Sequence, residues 1–401
     1  MKISISTQDL KSAVTLASNT LGVASDITSH FVFVKDGNGA SVMSCSLPRT
    51  FSKVPLLGAQ VTGEGSFTVE GKRLIQMLGA VTGVVNIEMG DDKNVKFTLP
   101  NGQLALTSLD PDSFPSWLSR VDTASQMKDA KVSASILFDT FNSLKSYVST
   151  EESRSELAQL YVDSGKAYAC DGFGMSVARS ESLDDLSLKI HTKDISPLLK
   201  FLKSKESDQV EILKGDQSSF FKAEDGSLFG LMDIPSNYPK TILSYAEAFD
   251  WVPQRVWGVK KGSLNTAIKF LRAGADKDDL KVSLTDEGDM LPLKLSMRPS
   301  NGRGELSYSL SPASLENPDQ AIELFTSPDE KMFVERSRKG ETEESFDSFS
   351  FNYQYMTRAI ESMSSDNIFI GCNRENNKGY MIFKVLQDSG VETVSVVGWM
   401  V

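Results

Sequence analysis

The chain has 401 residues, and its hydrophobic fraction of 40% is ordinary for a globular protein with about two to four domains and real cores. Its net charge of −11 argues against a surface that binds nucleic acid all over, and it contains no run of about 18 apolar residues that would indicate a membrane span. Cys45, Cys170 and Cys372 show neither metal-site spacing nor a disulfide pattern, and the N-terminus is not a signal sequence, so we expect a cytoplasmic protein without a membrane partner.

One unit recurs six times along the chain: a short strand, then a helix whose apolar residues are three and four positions apart, then more strands. In the first copy Leu10, Ala13, Val14 and Ala17 share one helix face. The six predicted strand–helix pairs are Lys2–Ser6 with Gln8–Thr20, Ser66–Val69 with Gly71–Thr82, Lys131–Ser135 with Ile136–Ser149, Leu188–His191 with Asp194–Ser204, Val256–Val259 with Gly262–Ala273, and Ser348–Asn352 with Tyr353–Met363. A repeat of this kind determines the architecture and favours a ring or an array over a catalytic cleft.

The segments between the helices carry strand patterns. Residues 95–99 and 103–107 alternate on both sides of Asn101-Gly102, which is a strong hairpin signal, and residues 223–231 repeat this arrangement. Strands with one helix per unit predict an α+β fold with antiparallel sheets and with helices packed on one face.

The repeats pair into three predicted domains, 1–122, 123–250 and 251–401. The first two end at aromatic–proline steps, Phe114-Pro115 and Tyr238-Pro239, which restrict the backbone before them. We interpret Ser116–Ala130 and Ser244–Arg255 as linkers, and a polar, glutamate-rich insertion at 313–347 as a solvated loop or small extra element.

Charge is segregated onto the six helical windows 8–20, 70–82, 136–149, 192–204, 260–273 and 353–363. They carry twelve basic and five acidic residues, a net charge of +7, which leaves −18 for the rest of the chain. Lysine is also a good helix former on a solvated face, and this is the alternative explanation. Because every window has a basic residue, helices that share one side of an assembly would make that side positive.

Residues that carry out chemistry are scarce. The only histidines, His30 and His191, lie in different predicted domains, and the sequence has neither a phosphate-binding Gly-rich loop with Lys-Ser/Thr nor a Gly-x-Ser-x-Gly motif. Asp171-Gly172 fits a tight turn between strands better than a catalytic loop. We therefore predict no catalytic residue, no metal site and no cofactor, and a binding protein rather than an enzyme.

Several motifs, in this order and with the sixfold repeat, resemble the bacterial-type DNA polymerase sliding clamp, the β-clamp processivity factor. They are Leu109–Pro115, Arg154–Leu157, Tyr161–Asp163, Ala169–Val177, Met232–Pro239 and Phe349–Ile360. Gly174 stands where that family usually has arginine, and the tail Val396–Val401 lacks the family's proline and basic residue. These departures indicate a divergent member, and a phage origin is one interpretation.

The resemblance implies the DNA clamp fold: three similar domains, each of two β-α-β-β-β half repeats, with antiparallel sheets outside and helices lining a ring. It implies a head-to-tail homodimer, since a ring of twelve helices needs two copies of a six-helix chain; a trimer and a monomer closed by partners stay open. Such a ring encircles double-stranded DNA without sequence specificity, tethers the replicative DNA polymerase and is loaded by a clamp-loader ATPase.

Two sets of site residues follow from the resemblance. Predicted DNA contacts are Lys72, Arg73, Lys200, Lys203, Lys261, Lys269 and Arg272. A predicted pocket for partner peptides is formed by Leu157, Cys170, Gly172, Phe173, Gly174, Met175, Val396, Val397, Trp399 and Met400. The valines are alternatively explained as a buried terminal strand.

Two other functions are compatible with parts of the sequence. A structural repeat protein of the virion type explains the repeat and the acidity but not the basic helices. An enzyme with unrecognised carboxylate chemistry lacks a constellation of residues to support it.

Overall fold

The computed structural model describes residues 1–23, 26–47, 49–90, 93–115, 117–215, 217–245, 255–276, 278–286, 293–300, 304–310, 349–363, 365–375, 378–386 and 389–398. The predicted insertion at 313–347 lies outside these described residues, as does most of the second predicted linker. The chain divides into two compact units. The first unit is Met1–Phe138 with Lys193–Pro235, and the second unit is Asp139–Thr192 with Ser236–Val401.

Eight helices lie in the described part of the chain, and six of them are the helices that the repeat predicts. Their bounds are α1 Thr7–Ala17, α2 Gly71–Ala80, α3 Trp117–Thr123, α4 Ala134–Leu144, α5 Thr192–Ser204, α6 Lys240–Tyr245, α7 Lys261–Ala273 and α8 Tyr353–Ser362. Helix α1 begins where the Ser6 hydroxyl accepts a hydrogen bond from the Asp9 backbone N–H (3.0 Å), which satisfies one free donor of the first turn. No helix among the described residues has the length and apolar character needed to cross a membrane.

The described strands complete the repeat. They are β1 Lys2–Ser6, β2 His30–Asp36, β3 Gly39–Ser46, β4 Thr50–Pro55, β5 Gln60–Thr62, β6 Ser66–Glu70, β7 Val84–Met89, β8 Asn94–Leu99, β9 Gly102–Thr107, β10 Ser125–Ser133, β11 Gln159–Asp163, β12 Lys166–Cys170, β13 Gly174–Arg179, β14 Ser187–His191, β15 Gln209–Lys214, β16 Ser218–Lys222, β17 Leu228–Met232, β18 Arg255–Lys260, β19 Lys281–Asp286, β20 Leu293–Met297, β21 Leu306–Leu310, β22 Phe349–Asn352, β23 Asn367–Glu375, β24 Lys378–Leu386 and β25 Glu392–Gly398. One strand directly precedes each of the six repeat helices and at least three strands follow it, so the α+β repeat is confirmed.

The strands form four antiparallel sheets. The first unit holds a five-stranded sheet, β5-β1-β7-β8-β9, and an eight-stranded sheet, β10-β15-β16-β17-β4-β3-β2-β6. The second unit holds an eight-stranded sheet, β14-β11-β12-β13-β25-β24-β23-β18, and a four-stranded sheet, β21-β20-β19-β22. Each eight-stranded sheet thus has a junction between strands of different repeat pairs, β4–β17 in the first unit and β13–β25 in the second.

The repeats interlock in pairs, because the strand before each helix joins the sheet of the other repeat in its pair. β1 pairs with β7 while β6 pairs with β2, and the same exchange links β10 to β15, β14 to β11, β18 to β23 and β22 to β19. The domain boundaries 1–122, 123–250 and 251–401 stay a prediction, since the two compact units divide the middle repeat pair.

The helices bury the apolar stripes that their periodicity predicts. Leu10 and Val14 of α1 and Leu74 of α2 join the strand residues of the core of the first unit, which also contains Phe33 and Phe67 as a stacked pair. Fully burying a side chain of this size contributes about 1.5–3 kcal/mol, so packing rather than helix propensity stabilises these elements. In the second unit α7 buries Leu264, Ala267, Ile268 and Leu271, and α8 buries Met356, Ala359 and Ile360.

The predicted hairpins are present, with one change in the first. Leu99 lies opposite Gly102, so the two turn residues are Pro100 and Asn101, and Gly102 is already the first residue of β9. The predicted Asn-Gly turn was therefore one residue out of register. The second hairpin connects β16 to β17, with Gly226 at φ +84°.

The stretch interpreted as the first linker, Ser116–Ala130, is instead largely structured. Helix α3 and most of β10 lie in it, because Trp117 is buried against aromatic residues of the eight-stranded sheet. The composition of this stretch is largely polar, with its apolar residues spaced among polar ones, so composition alone did not predict the helix.

Candidate functional sites

Three of the seven predicted DNA contacts are exposed lysines, one each on helices α2, α5 and α7. Lys72, Lys200 and Lys269 have no hydrogen-bond or ion-pair partner among the described residues. Their ammonium groups are solvated point charges on long, mobile side chains. Such groups can attract a polyanion without fixing its register.

Two further predicted DNA contacts form exposed ion pairs with residues next to the ends of their helices. Arg73 Nε lies 2.8 Å from a carboxylate oxygen of Glu70, and Lys203 Nζ lies 2.8 Å from Glu206. Lys203 also lies over the ring of Phe138, 5.3 Å from its centroid. Exposed pairs of this kind contribute about 0–1 kcal/mol, so a stronger anion can compete for either cation.

The last two contacts hold the ends of α7 in the second unit. Lys261 donates a hydrogen bond to the Met363 carbonyl oxygen at the start of the helix. Arg272 lies over the ring of Tyr353 at 4.4 Å and donates to the carbonyl oxygens of Asp276 (3.1 Å) and Asp279 (3.2 Å) at the end of it. These two side chains have structural partners, and of the seven they are the most constrained.

Three predicted pocket residues lie together on one face of the sheet at the β13–β25 junction. Cys170, Met175 and Val396 belong to a single apolar cluster, in which Cys170 and Met175 are buried and Val396 is half-buried. The alternation of side chains along β12, β13 and β25 brings them to the same face. The cluster is completed by Tyr168, Val177, Phe369 and Val394, with Tyr161 packed against it.

The sequence prediction missed the segment that covers this cluster. Tyr238, of the aromatic–proline step, is 5% exposed and stacks on Tyr161 with ring centroids 5.3 Å apart. Ile242 and Leu243 of α6 pack beside it and stay half-buried. The sequence contains a signal for this segment, the aromatic–proline step Tyr238-Pro239. That step predicts the end of a domain, but it does not by itself predict that the ring packs on the sheet.

Burial keeps the titratable groups of the cluster uncharged. It raises the pKa of the Cys170 thiol, raises the pKa of Tyr168 to about 12, and raises the pKa of Tyr238 further. The Tyr238 hydroxyl is buried without a hydrogen-bond partner among the described residues. The cluster is therefore a neutral, polarisable surface with one free hydrogen-bonding group.

The predicted pocket residues Gly172, Phe173 and Gly174 form a turn organised by Asp171. One carboxylate oxygen of Asp171 accepts hydrogen bonds from the N–H groups of Phe173 and Gly174, both at 2.9 Å. Its other oxygen pairs with Arg358 of α8. This confirms the interpretation of Asp171-Gly172 as a turn.

The side chain of Phe173 extends away from the cluster into a stack of its own. It is 57% exposed and stacks on Tyr355 at 5.9 Å, and the Arg154 guanidinium also lies over its ring, 5.9 Å from the centroid. Leu157 is buried nearby, 3.9 Å from where a Cβ of residue 172 would lie. Phe173 thus offers a separate aromatic surface next to the cluster.

Glycine at position 174, where the resembled family usually has arginine, has a steric explanation in this chain. A Cβ at this position would lie 3.0 Å from Cε1 of the fully buried Tyr147, on the side of the sheet away from the apolar cluster. Arg358 lies over the same tyrosine at 5.7 Å.

Three predicted pocket residues remain, all of them at the C-terminal end of the chain. Val397 is described through its backbone pairing with Gly174, and Trp399 and Met400 lie outside the described residues. Within the residues that the structure describes, no group of three His, Cys, Asp or Glu side chains is arranged to hold a metal ion.

No protein-family model matches the sequence, and no curated protein matches it either. Solved structures do match it over its full length. DNA polymerase III subunit beta from Pseudomonas aeruginosa aligns with 100% of this chain and 100% of its own, at 13% identity and a TM-score of 0.76. The DNA polymerase sliding clamp from Bacillus subtilis (16% identity) and the DNA polymerase III beta subunit from Thermotoga maritima (14%) each cover 100% of this chain and 99% of their own, both at a TM-score of 0.76. The chain therefore has the fold of the bacterial DNA sliding clamps, as its sequence motifs predicted.

Proposed function

We propose that the chain is a DNA sliding clamp, which encircles duplex DNA without sequence specificity and tethers the replicative DNA polymerase. The observation that carries this proposal is the likeness to bacterial clamps along the entire chain, at TM-scores of 0.75–0.77. In this proposal two copies close head to tail into a ring, and the protein performs no chemistry of its own.

The distribution of charge supports a positive inner wall. Helices α2, α5 and α7 come from three different repeat pairs, and each carries one exposed lysine without a described partner. Lysines that meet phosphates through water attract DNA without a fixed register, whereas deep clamps on phosphate would have to break at every step of sliding. The strongly negative remainder of the chain would keep DNA from binding elsewhere.

The apolar cluster at the β13–β25 junction is the proposed docking site for polymerase and clamp-loader peptides. In this proposal the Tyr238 ring that covers Cys170 and Met175 moves aside, and apolar side chains of several related peptides take its place on the neutral cluster. We expect the protein to act in the cytoplasm, or in the host cytoplasm if its source is viral.

A duplex with controllable ends tests encirclement without a clamp loader. One end is fixed to a bead, the chain is threaded over the free end, and that end is then blocked with biotin and streptavidin or left open. We expect the chain to survive a high-salt wash only on the blocked duplex, because salt removes electrostatic contacts but leaves a closed ring linked to its DNA.

The same assay tests the three lysines. The Lys72→Glu, Lys200→Glu, Lys269→Glu variant should load about tenfold less at low salt, because reversed charges cost counterion release at each phosphate contact. The matched control reverses Lys96, Lys131 and Lys281, which are exposed on strands of the same three repeat pairs, and should load normally. Equal loading of both variants would refute the lysine assignment. Retention independent of the block would refute encirclement and favour a structural repeat protein.

A further inference from the structure

An open groove lies in the first unit, on the face of the eight-stranded sheet next to the β4–β17 junction. Its volume is about 310 Å³. Its floor is formed by Val32 and Val34 of β2 and Met43 of β3, and Phe114 and Pro115 form the opposite wall. It extends to Ser66 on β6, the edge strand of this sheet.

The groove occupies the position in the first unit that the apolar cluster occupies in the second. In both units the sheet joins two repeat pairs, and an aromatic–proline step passes over the joined face. The groove and the cluster differ in how far the aromatic ring of the aromatic–proline step fills them. Tyr238 is buried over its cluster, whereas Phe114 is half-buried and the groove remains beside it, above Val34.

The charge around the groove is negative. Asp112 lies in its wall, is exposed, and has no side-chain partner among the described residues. The nearby lysines of β2 and β4 are already neutralised, since Lys35 pairs with Glu64 and Lys53 with Asp36. A bound segment with a lysine or arginine beside Asp112 would therefore form a new ion pair without breaking one that the chain already has.

We propose that this groove binds a short segment of a partner protein that carries two neighbouring apolar side chains next to a lysine or arginine. A volume of about 310 Å³ lies at the small end of ligand pockets, which span about 300–1,000 Å³, and accommodates two apolar side chains rather than a folded surface. The proposal concerns the first unit alone and does not depend on whether the chain encircles DNA.

Methionine-methyl NMR tests this proposal, because Met43 reports on the groove and Met175 reports on the other cluster. The probe is the capped hexapeptide Ala-Lys-Leu-Phe-Lys-Ala, compared with the same peptide carrying glutamate in place of both lysines. We expect the lysine peptide to shift the Met43 signal, and to bind at least about threefold tighter than the glutamate peptide, since an exposed ion pair gives a gain of this size.

Two variants separate the groove from unspecific association. Ser66→Trp fills the groove from its edge and should abolish the Met43 shift, and Asp112→Lys should reverse the preference between the two peptides. Asp185→Lys, at an exposed carboxylate of the second unit, is the matched control and should change neither. Circular dichroism verifies that each variant is folded. No Met43 shift, equal binding of both peptides, or a Met43 shift caused by self-association of the chain without peptide would each overturn the proposal.

Discussion

The position of the Tyr238 ring over the apolar cluster follows from the backbone geometry of the Tyr238-Pro239 step. The proline that follows Tyr238 restricts its backbone, and this brings the ring onto the sheet face, where it stacks on Tyr161. Its hydroxyl is buried without a described partner, and such a group costs about 1–3 kcal/mol until something pairs with it. One residue thus covers the cluster that we propose as the docking site.

Val396 provides the test of this site, because it is half-buried at the edge of the cluster and tolerates substitution better than Met175. If the cluster is the docking site proposed above, Val396→Glu should weaken polymerase binding by about tenfold or more, since a carboxylate would be desolvated under the peptide. Surface plasmon resonance with immobilised chain measures this.

The control for Val396→Glu is Val84→Glu, which changes an exposed valine of the first unit and should leave polymerase affinity unchanged. Unchanged affinity of the Val396 variant would mean that the polymerase binds elsewhere.

At the scale of elements, the two sheet junctions are held by equivalent ion pairs of opposite polarity. In the first unit, Arg49 of the β3–β4 connection forms a bidentate pair with Asp194 of α5, at 3.1 Å and 2.6 Å. In the second unit, Asp171 of the equivalent β12–β13 connection pairs with Arg358 of α8. Each pair ties the turn of one repeat to the helix of another, so it fixes the junction on which the neighbouring apolar site depends.

Breaking the first pair should have unequal effects, because the Asp194 side chain is 3% exposed and that of Arg49 is 30% exposed. Arg49→Met leaves a buried carboxylate without its cation and should lower the free energy of unfolding by about 3–5 kcal/mol. Asp194→Asn leaves a cation that can turn to water and should cost about 1–2 kcal/mol. Urea denaturation measures both.

The double variant Arg49→Met, Asp194→Asn is the control, and it should be more stable than Arg49→Met alone because no unpaired charge remains buried. Equal effects of the two single substitutions, or strict additivity in the double variant, would contradict this account of the junction.

The sequence was sufficient for the repeat, because the periodicity of Leu10, Val14 and Leu74 is local and each stripe is buried as it predicts. It was not sufficient for the strand exchange, since pairing β1 with β7 involves residues far apart in sequence. The resemblance located Cys170, Met175 and Val396 in one cluster. It could not supply Tyr238 or the partners of Arg272 and Lys261, which depend on packing between distant segments.

At the scale of the whole molecule, the described sheets end in edges that a second copy can occupy. β9 is the last strand of the five-stranded sheet in the first unit, and β21 is the last strand of the four-stranded sheet in the second. Beside β21, Phe270 of α7 is 50% exposed and packs on Tyr308 at 5.6 Å. Open sheet edges are unfavourable in isolation, so for the head-to-tail dimer proposed above we expect β9 of one copy to pair with β21 of the next.

Ala105 tests this interface. It lies opposite Lys96, and the hairpin register directs its N–H away from β8. Ala105→Pro removes only this outward donor, and Phe270→Glu adds charge to the apolar patch, so each should raise the dimer dissociation constant by about tenfold or more. Sedimentation over a concentration series measures it.

Ala105→Ser retains the backbone N–H and is the control, with an expected dissociation constant equal to that of the original chain. A dimer unaffected by both test variants would place the contact between copies at other edges.

The interlocking of the repeats has a consequence for synthesis on the ribosome. β1, residues 2–6, cannot complete its sheet until β7, residues 84–89, has emerged, and β10 waits similarly for β15. At about 5–20 residues per second each wait lasts about 4–16 s, during which a nascent chain exposes unpaired strands and a half-covered core. Chaperones that shield such intermediates should therefore influence how much folded protein each round of translation yields.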